Sequence, residues 1–182
     1  MSIRCFPLSI LLFMLVLSGC SQRGGQGADR GKAEPEAVPA YSLEDVTHYQ
    51  YDDGVLRLKV NFDRGAYYDD RQELRIENCM FVYYDSDGNE VSTGRSRRAT
   101  IHRESSQLIA EEDVVIVSEV NRGRLETDYL EWRGDESQFV TESYVTITRD
   151  NGDTLQGVGM ITDMALNYVT IKRDVRGSFE AQ

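Results

Sequence analysis

From Tyr41 onward, apolar and polar residues alternate with a period of two. Leu56, Leu58, Val60 and Phe62 share one parity, opposite Arg57, Lys59 and Asn61. Leu74, Ile76, Met80, Val82 and Tyr84 share another, with Asn78 as the exception, and Val145 and Ile147 alternate with Thr146 and Thr148. Successive side chains of a strand point to opposite faces, so each run has one wet and one dry face. The pattern predicts strands over 55–62, 73–84, 99–102, 107–110, 113–118, 124–132, 139–148, 154–161 and 167–175. Between them stand Asp53-Gly54, Arg64-Gly65, Asp87-Gly88-Asn89, Arg122-Gly123, Arg133-Gly134, Asn151-Gly152 and Arg176-Gly177. Asp-Gly and Asn-Gly supply the positive φ that tight hairpins need. The one helical signal is short, over 42–48, with Ser42 as its cap. No proline follows Pro39, which suits uninterrupted ladders. The expectation is an all-β, antiparallel sandwich, barrel or rolled sheet.

A weak repeat runs through the second half. Thr127-Asp128-Tyr129-Leu130-Glu131-Trp132 recurs as Thr141-Glu142-Ser143-Tyr144-Val145-Thr146-Ile147, with an echo at Thr162-Asp163-Met164. It reads as a stack of similar strand units that extends one apolar face.

The N-terminus has a different character. Arg4 precedes an apolar run over 6–17, far short of the ~20 residues that span a bilayer but of signal-peptide length. Leu17-Ser18-Gly19-Cys20 then resembles the bacterial lipobox, whose cysteine is lipidated and begins the mature chain. The expected organisation is a lipoprotein signal peptide over 1–19, a lipidated Cys20 with a flexible linker over 20–40, and one β domain over 41–182. With Cys5 removed and Cys20 acylated, Cys79 has no partner, so no disulfide framework forms. It lies in an apolar run and reads as a small buried hydrophobe.

Composition narrows the function. The 142 residues from Tyr41 carry 16 basic and 28 acidic side chains, the wrong sign for a phosphate-backbone binder, so no nucleic acid is expected. No catalytic constellation emerges and no metal or cofactor is expected. Asp85-Ser86-Asp87-Gly88-Asn89-Glu90 lacks the sixth-position glycine and twelfth-position glutamate of a helix–loop–helix calcium site and reads as a hairpin turn. His48 and His102 have no ligand spacing. Asp69-Asp70 and Glu111-Glu112 read as solvated turn residues, Arg95, Arg97 and Arg98 as a solvated loop, and Trp132 as buried. Gly157 and Gly159 lack the third glycine of a dinucleotide site and mark a bulge or a close approach of backbones.

Over residues 50–180 the chain resembles the LptC family of lipopolysaccharide-export components. The resemblance rests on an ordered series: Gly65-Ala66-Tyr67-Tyr68 before the strand over 74–84, then Tyr84-Asp85-Ser86-Asp87-Gly88, then 125–132, Thr141-Glu142, Gly157-Val158-Gly159-Met160 leading to Thr162-Asp163, and Val175-Arg176-Gly177. It implies an open antiparallel β-jellyroll of the LptC/LptA/OstA kind, without enzymatic chemistry, whose interior shelters acyl chains. The implied partners are lipopolysaccharide or a similar glycolipid, an inner-membrane transporter (LptB/LptF/LptG-like), an LptA-like bridge protein, and a membrane through the lipid anchor. The implied place is the periplasm, tethered to the inner membrane; Ser21 after the cysteine resembles outer-membrane sorting instead.

Lipopolysaccharide and this domain are both anionic, so shelter of acyl chains, about 0.8 kcal/mol per buried methylene, has to dominate binding. Ile76, Val82, Ile116, Leu125, Val145 and Ile147 lie on the apolar phase of their strands and are the expected groove, with Leu58 and Met160 at its rim or floor. The C-terminal edge, with Tyr168, Val169, Ile171 and Val175, is the expected seat of the bridge protein, and the edge over 55–62 that of the transporter. The competing reading is an unrelated β-sandwich surface or envelope-assembly lipoprotein, with a filled core and binding on its loops.

Overall fold

Short turns, four of them with a glycine (Gly54, Gly88, Gly134 and Gly152), fold the chain back on itself, and each strand pairs with the next. The computed structural model describes residues 38–105 and 107–179. Among these, nine strands form one antiparallel sheet in strict sequence order: β1 (Tyr41–Asp52), β2 (Val55–Tyr68), β3 (Glu73–Tyr84), β4 (Glu90–His102), β5 (Gln107–Ser118), β6 (Gly123–Arg133), β7 (Gln138–Arg149), β8 (Thr154–Thr162) and β9 (Val169–Ser178). β1 and β9 do not touch, so the sheet stays open at both edges. The connectivity is an up-and-down meander without Greek-key crossovers. The segment Ala37–Gln182 is a compact unit with its own apolar core, as expected of a segment that folds alone.

A belt of interruptions crosses the sheet at one level. Pairing skips Asp45 between β1 and β2, Phe62 and Asp63 between β2 and β3, and Asn78 between β3 and β4. From β4 to β9 the register shifts at the same level: at 95–98, 111–114, 127–131, 141–144 and 156–158. Asp45, Asn78, Glu112, Asp113, Gly159 and Asp174 carry positive φ there. An extra residue bends a strand and turns its later side chains to the other face. In β3 the core-packing residues are Leu74 and Ile76 before Asn78, but Cys79 and Phe81 after it; in β2, Val60 and Phe62 give way to Tyr67. In β2 and β3 the strand is folded across the belt, and its two halves contribute to opposite walls of one interior.

The walls meet at one lip. At the end of β5 the Ser118 hydroxyl donates to Ala165 O at 2.6 Å, and beyond it Asn121 Nδ2 donates to the same carbonyl at 2.8 Å. In a flat sheet β5 and β8 would stand about 14 Å apart, at 4.7–4.9 Å per strand, so these bonds record how far the sheet has rolled.

Several expectations from sequence change. Residues 42–48 form part of β1 and not a helix, because Tyr41 to Asp52 pair along β2. Arg64-Gly65 lies inside β2, where Gly65 admits the Phe62 ring, and Arg176-Gly177 lies inside β9. The runs over 107–110 and 113–118 are one strand, with Glu112-Asp113 as its bulge. Arg95, Arg97 and Arg98 sit on β4, where Arg97 pairs with Asp113 at 2.5 Å and Arg98 with Glu112 at 2.7 Å across that bulge.

The Thr repeat acquires a physical meaning. Thr127 and Thr141 stand at the belt on β6 and β7. Thr127 Oγ1 donates to Tyr144 O at 2.8 Å, and Thr141 Oγ1 accepts from the Ser143 amide at 3.0 Å. Thr162, at the end of β8, donates to Tyr168 O at 2.5 Å. The Thr127 and Thr141 hydroxyls satisfy backbone groups where the ladder is interrupted, and Thr162 satisfies a carbonyl of the loop before β9, as burial requires.

Candidate functional site

The interior between the walls is the candidate site. Its larger apolar cluster joins Ala110, Val114 and Ile116 of β5 to Leu125, Leu130, Phe139, Val145, Ile147 and Met160, with Leu166 from the loop after β8. The smaller joins Val60 and Phe62 of β2 to Ile76, Cys79 and Ala99. Phe81 packs against both and makes the interior continuous across the sheet.

A cavity of about 90 Å³ remains between them, lined by Leu58, Phe81, Leu108, Ile116, Trp132 and Met164 among others. Leu58 stands on β2 and Trp132 on β6, four strands apart in the order of the sheet, and only the roll brings them to one cavity. Trp132 and Phe139 meet edge to face with centroids 5.1 Å apart. A second opening of about 250 Å³ lies at the β9 end, where Ile147, Leu155, Val169 and Phe179 surround it.

Of the residues expected in a groove, Leu58 and Ile116 line the central cavity. Leu125, Val145, Ile147 and Met160 are buried in the larger cluster and Ile76 in the smaller. Val82 faces the other way: it pairs with Lys59 and Thr93 and packs against neither cluster, because the extra residue Asn78 turns the rest of β3 over. Phe81 takes the place assigned to it. The signal was present in the sequence, since Asn78 interrupts the apolar phase of its own strand. Leu108 and Met164 were missed because neither belongs to a clean alternating run.

At the C-terminal edge, Val169 and Ile171 turn their side chains toward the core while Tyr168 and Val175 are exposed. β9 approaches β8 closely. A Cβ at Gly157 would sit 2.7 Å from Arg173 O and overlap the Ile171 side chain, and Gly159 holds φ +73°, where a Cβ would lie 2.9 Å from Lys172 Cδ. Lys172 also reaches across β8 to pair with Glu142, which holds that carboxyl below its usual range.

Cys79 lies on the cavity wall, 5% exposed, and burial pushes its thiol up to about 11. A neutral, buried thiol is a packing element and not a nucleophile. Among the described residues no His, Cys, Asp and Glu cluster could hold a metal ion, and no helix is long and apolar enough to cross a membrane. Cys20 and residues 1–37 lie outside the described residues.

A model of the family described as lipopolysaccharide-assembly, LptC-related, matches residues 8–180. One similar solved structure is the crystal structure of LptH, the LptA-homologous periplasmic component of the conserved lipopolysaccharide transport device from Pseudomonas aeruginosa. It is 10% identical, with 79% of this chain and 96% of that chain covered and a TM-score of 0.32. No curated protein matches the chain.

Proposed function

The chain belongs to the LptC-related family of lipopolysaccharide-assembly proteins, non-catalytic transport components, and on that premise we propose that it carries lipopolysaccharide or a related glycolipid with the acyl chains sheltered between its two walls. It receives this cargo from an LptB/LptF/LptG-like inner-membrane transporter and passes it to an LptA-like periplasmic bridge. The observation that supports this most is the apolar cavity between the two walls of an open sheet. Acyl chains gain by leaving water there, while a sugar–phosphate headgroup stays outside an acidic surface that does not hold it.

Both sheet edges offer unpaired backbone for strand addition. The β9 edge, with Tyr168 and Val175 exposed beside it, receives the bridge protein, and the N-terminal edge receives the transporter. The edge on that side is β1 and not 55–62, which pairs on both flanks. Residues 1–19 act as a lipoprotein signal peptide, and Cys20, once acylated, tethers the domain to a membrane through the linker over 20–40. One chain holds a protein only marginally and two hold it stably.

The test is reconstitution. Transporter proteoliposomes containing labelled lipopolysaccharide should load this protein in an ATP-dependent manner. Absence of ATP-dependent loading would contradict the proposal. In cells, Cys20→Ala should accumulate as an unlipidated precursor, and normal processing of that variant would remove the anchor from the account.

A further inference from the structure

The central cavity, about 90 Å³, is smaller than the ~150 Å³ cavity that holds a benzene ring, so an acyl chain fills this cavity only when one of its lining side chains leaves. The segment over 163–168, between β8 and β9, is the part of the interior held least like the rest. Ala165 and Leu166 are buried, Met164 lines the cavity, and Leu166 belongs to the larger cluster. Yet no ladder ties this segment to the wall it touches. Its bonds across the lip are Ser118 Oγ and Asn121 Nδ2 to Ala165 O, and Asn121 Nδ2 to Asn167 Oδ1 at 3.0 Å. Its other bonds run from the Leu166 amide to Asp163 O, from the Asn167 amide and side-chain Nδ2 to the Asp163 carboxylate, and from Thr162 Oγ1 to Tyr168 O at its end. Leu166 sits at φ +54°, a conformation that a large side chain adopts only under constraint. It is seated against Gly123, where a Cβ would lie 3.7 Å from Leu166 Cδ1.

We propose that residues 163–168 are a displaceable strap, whose Met164 and Leu166 side chains fill the interior of the empty protein and yield their places to acyl chains on loading. This rests on the lipid-sheltering function and adds to it the element that moves. A second observation supports it. Ser92 Oγ is buried with no hydrogen-bond partner, and Ser92 stands directly opposite Ser118 in the β4–β5 ladder. Cross-strand side chains at such positions are close enough to hydrogen-bond. When the strap leaves, the Ser118 hydroxyl loses Ala165 O and gains Ser92. The anchor has a partner in both states, and Ser92 is unsatisfied only in the closed one.

The experiment uses the segment 37–182 and a spin-labelled fatty acid as the probe, with amide hydrogen exchange as the readout. Probe binding should speed exchange across 163–168 and leave 123–127 unchanged. Asn121→Ala removes two strap bonds, and by raising the open fraction it should tighten apparent affinity about fivefold. Ser92→Ala breaks no bond in the closed state, so it should spare the melting transition yet weaken probe binding. Binding with 163–168 still protected, or with unchanged affinity in Asn121→Ala, overturns the strap and leaves the lipid function standing. Unchanged affinity in Ser92→Ala overturns the hand-over. Failure of the probe to bind wild type and Asn121→Ala alike overturns the lipid function and the strap together.

Discussion

The ring of Phe81 occupies the space above Gly94, its partner on β4: a Cβ at Gly94 would lie 2.5 Å from Phe81 Cζ and 2.7 Å from Ile116 Cδ1. Phe81 is the residue that packs against both apolar clusters, so the missing side chain at Gly94 is what lets the two join. Gly94 has no positive φ, and its substitution is therefore a matter of packing alone. Gly94→Ala should cost about 1–3 kcal/mol of stability, the range for overfilling a packed core. Urea denaturation measures it, and an unchanged midpoint would show that Phe81 can move aside freely.

Asn78 is the hinge of β3. It holds φ +53° and donates from Nδ2 to Asp63 Oδ2 at 2.8 Å across the belt. Asn78→Val places a β-branched residue in a conformation it avoids and should destabilise by roughly 1–3 kcal/mol. Asn78→Gly keeps the backbone and should lose less. The comparison of the two chemical midpoints checks the order; a valine variant as stable as the glycine one would mean that the belt does not constrain φ there.

Cys79 links stability to alkaline pH. Burial raises its folded pKa from 9.0 to about 11. Between those values the unfolded chain releases the proton while the folded chain keeps it. Stability therefore falls as pH rises through this window, by on the order of 2 kcal/mol. Cys79→Ala should lose that part of the pH dependence, seen as a smaller difference between denaturation midpoints at pH 8 and pH 11 than in wild type. The native thiol should also resist alkylation at pH 8 until the protein is unfolded.

A charge placed in the interior now has a position-dependent outcome. Val145 is fully buried and Ile116 is 1% exposed, so an aspartate at either loses hydration without gaining a partner, a cost of several kcal/mol. That approaches the whole stability of a domain. In an open groove Ile116→Asp and Val145→Asp would fold and lose lipid capture; at these burials both should instead fail to give a cooperative melt. Met80→Asp, on the outer face at 56% exposure, should melt as wild type does. Cooperative melting of Val145→Asp would mean that water reaches the heart of the larger cluster.

The alternation of Leu56 to Phe62 and of Val145 with Ile147 was enough to read eight of the nine strands, β5 as two separate runs, and Asp53-Gly54 and Asn151-Gly152 marked hairpins where they occur. What the alternation could not carry was phase. A period of two identifies a strand's dry face only until an extra residue intervenes, and this sheet inserts one near the middle of most strands. The alternation therefore puts Val82 inside, where Phe81 stands, although Asn78 marks the break. The helix expected over 42–48 failed for a different reason. A polar edge strand such as β1 has little apolar periodicity of its own, and its conformation is set by pairing with β2. Met164 and Leu166 were beyond reach because loop residues become interior only when the sheet rolls.

The central claim is that the space between the walls carries acyl chains, and in-cell photocrosslinking tests it most directly. A photoreactive residue at Leu108 or Trp132, which line the cavity and retain some exposure, should capture lipopolysaccharide or a related glycolipid. The same residue at Met80 or Val82, on the outer face of β3, should capture none. Equal capture at both pairs of positions, or capture at the outer pair alone, would contradict the account.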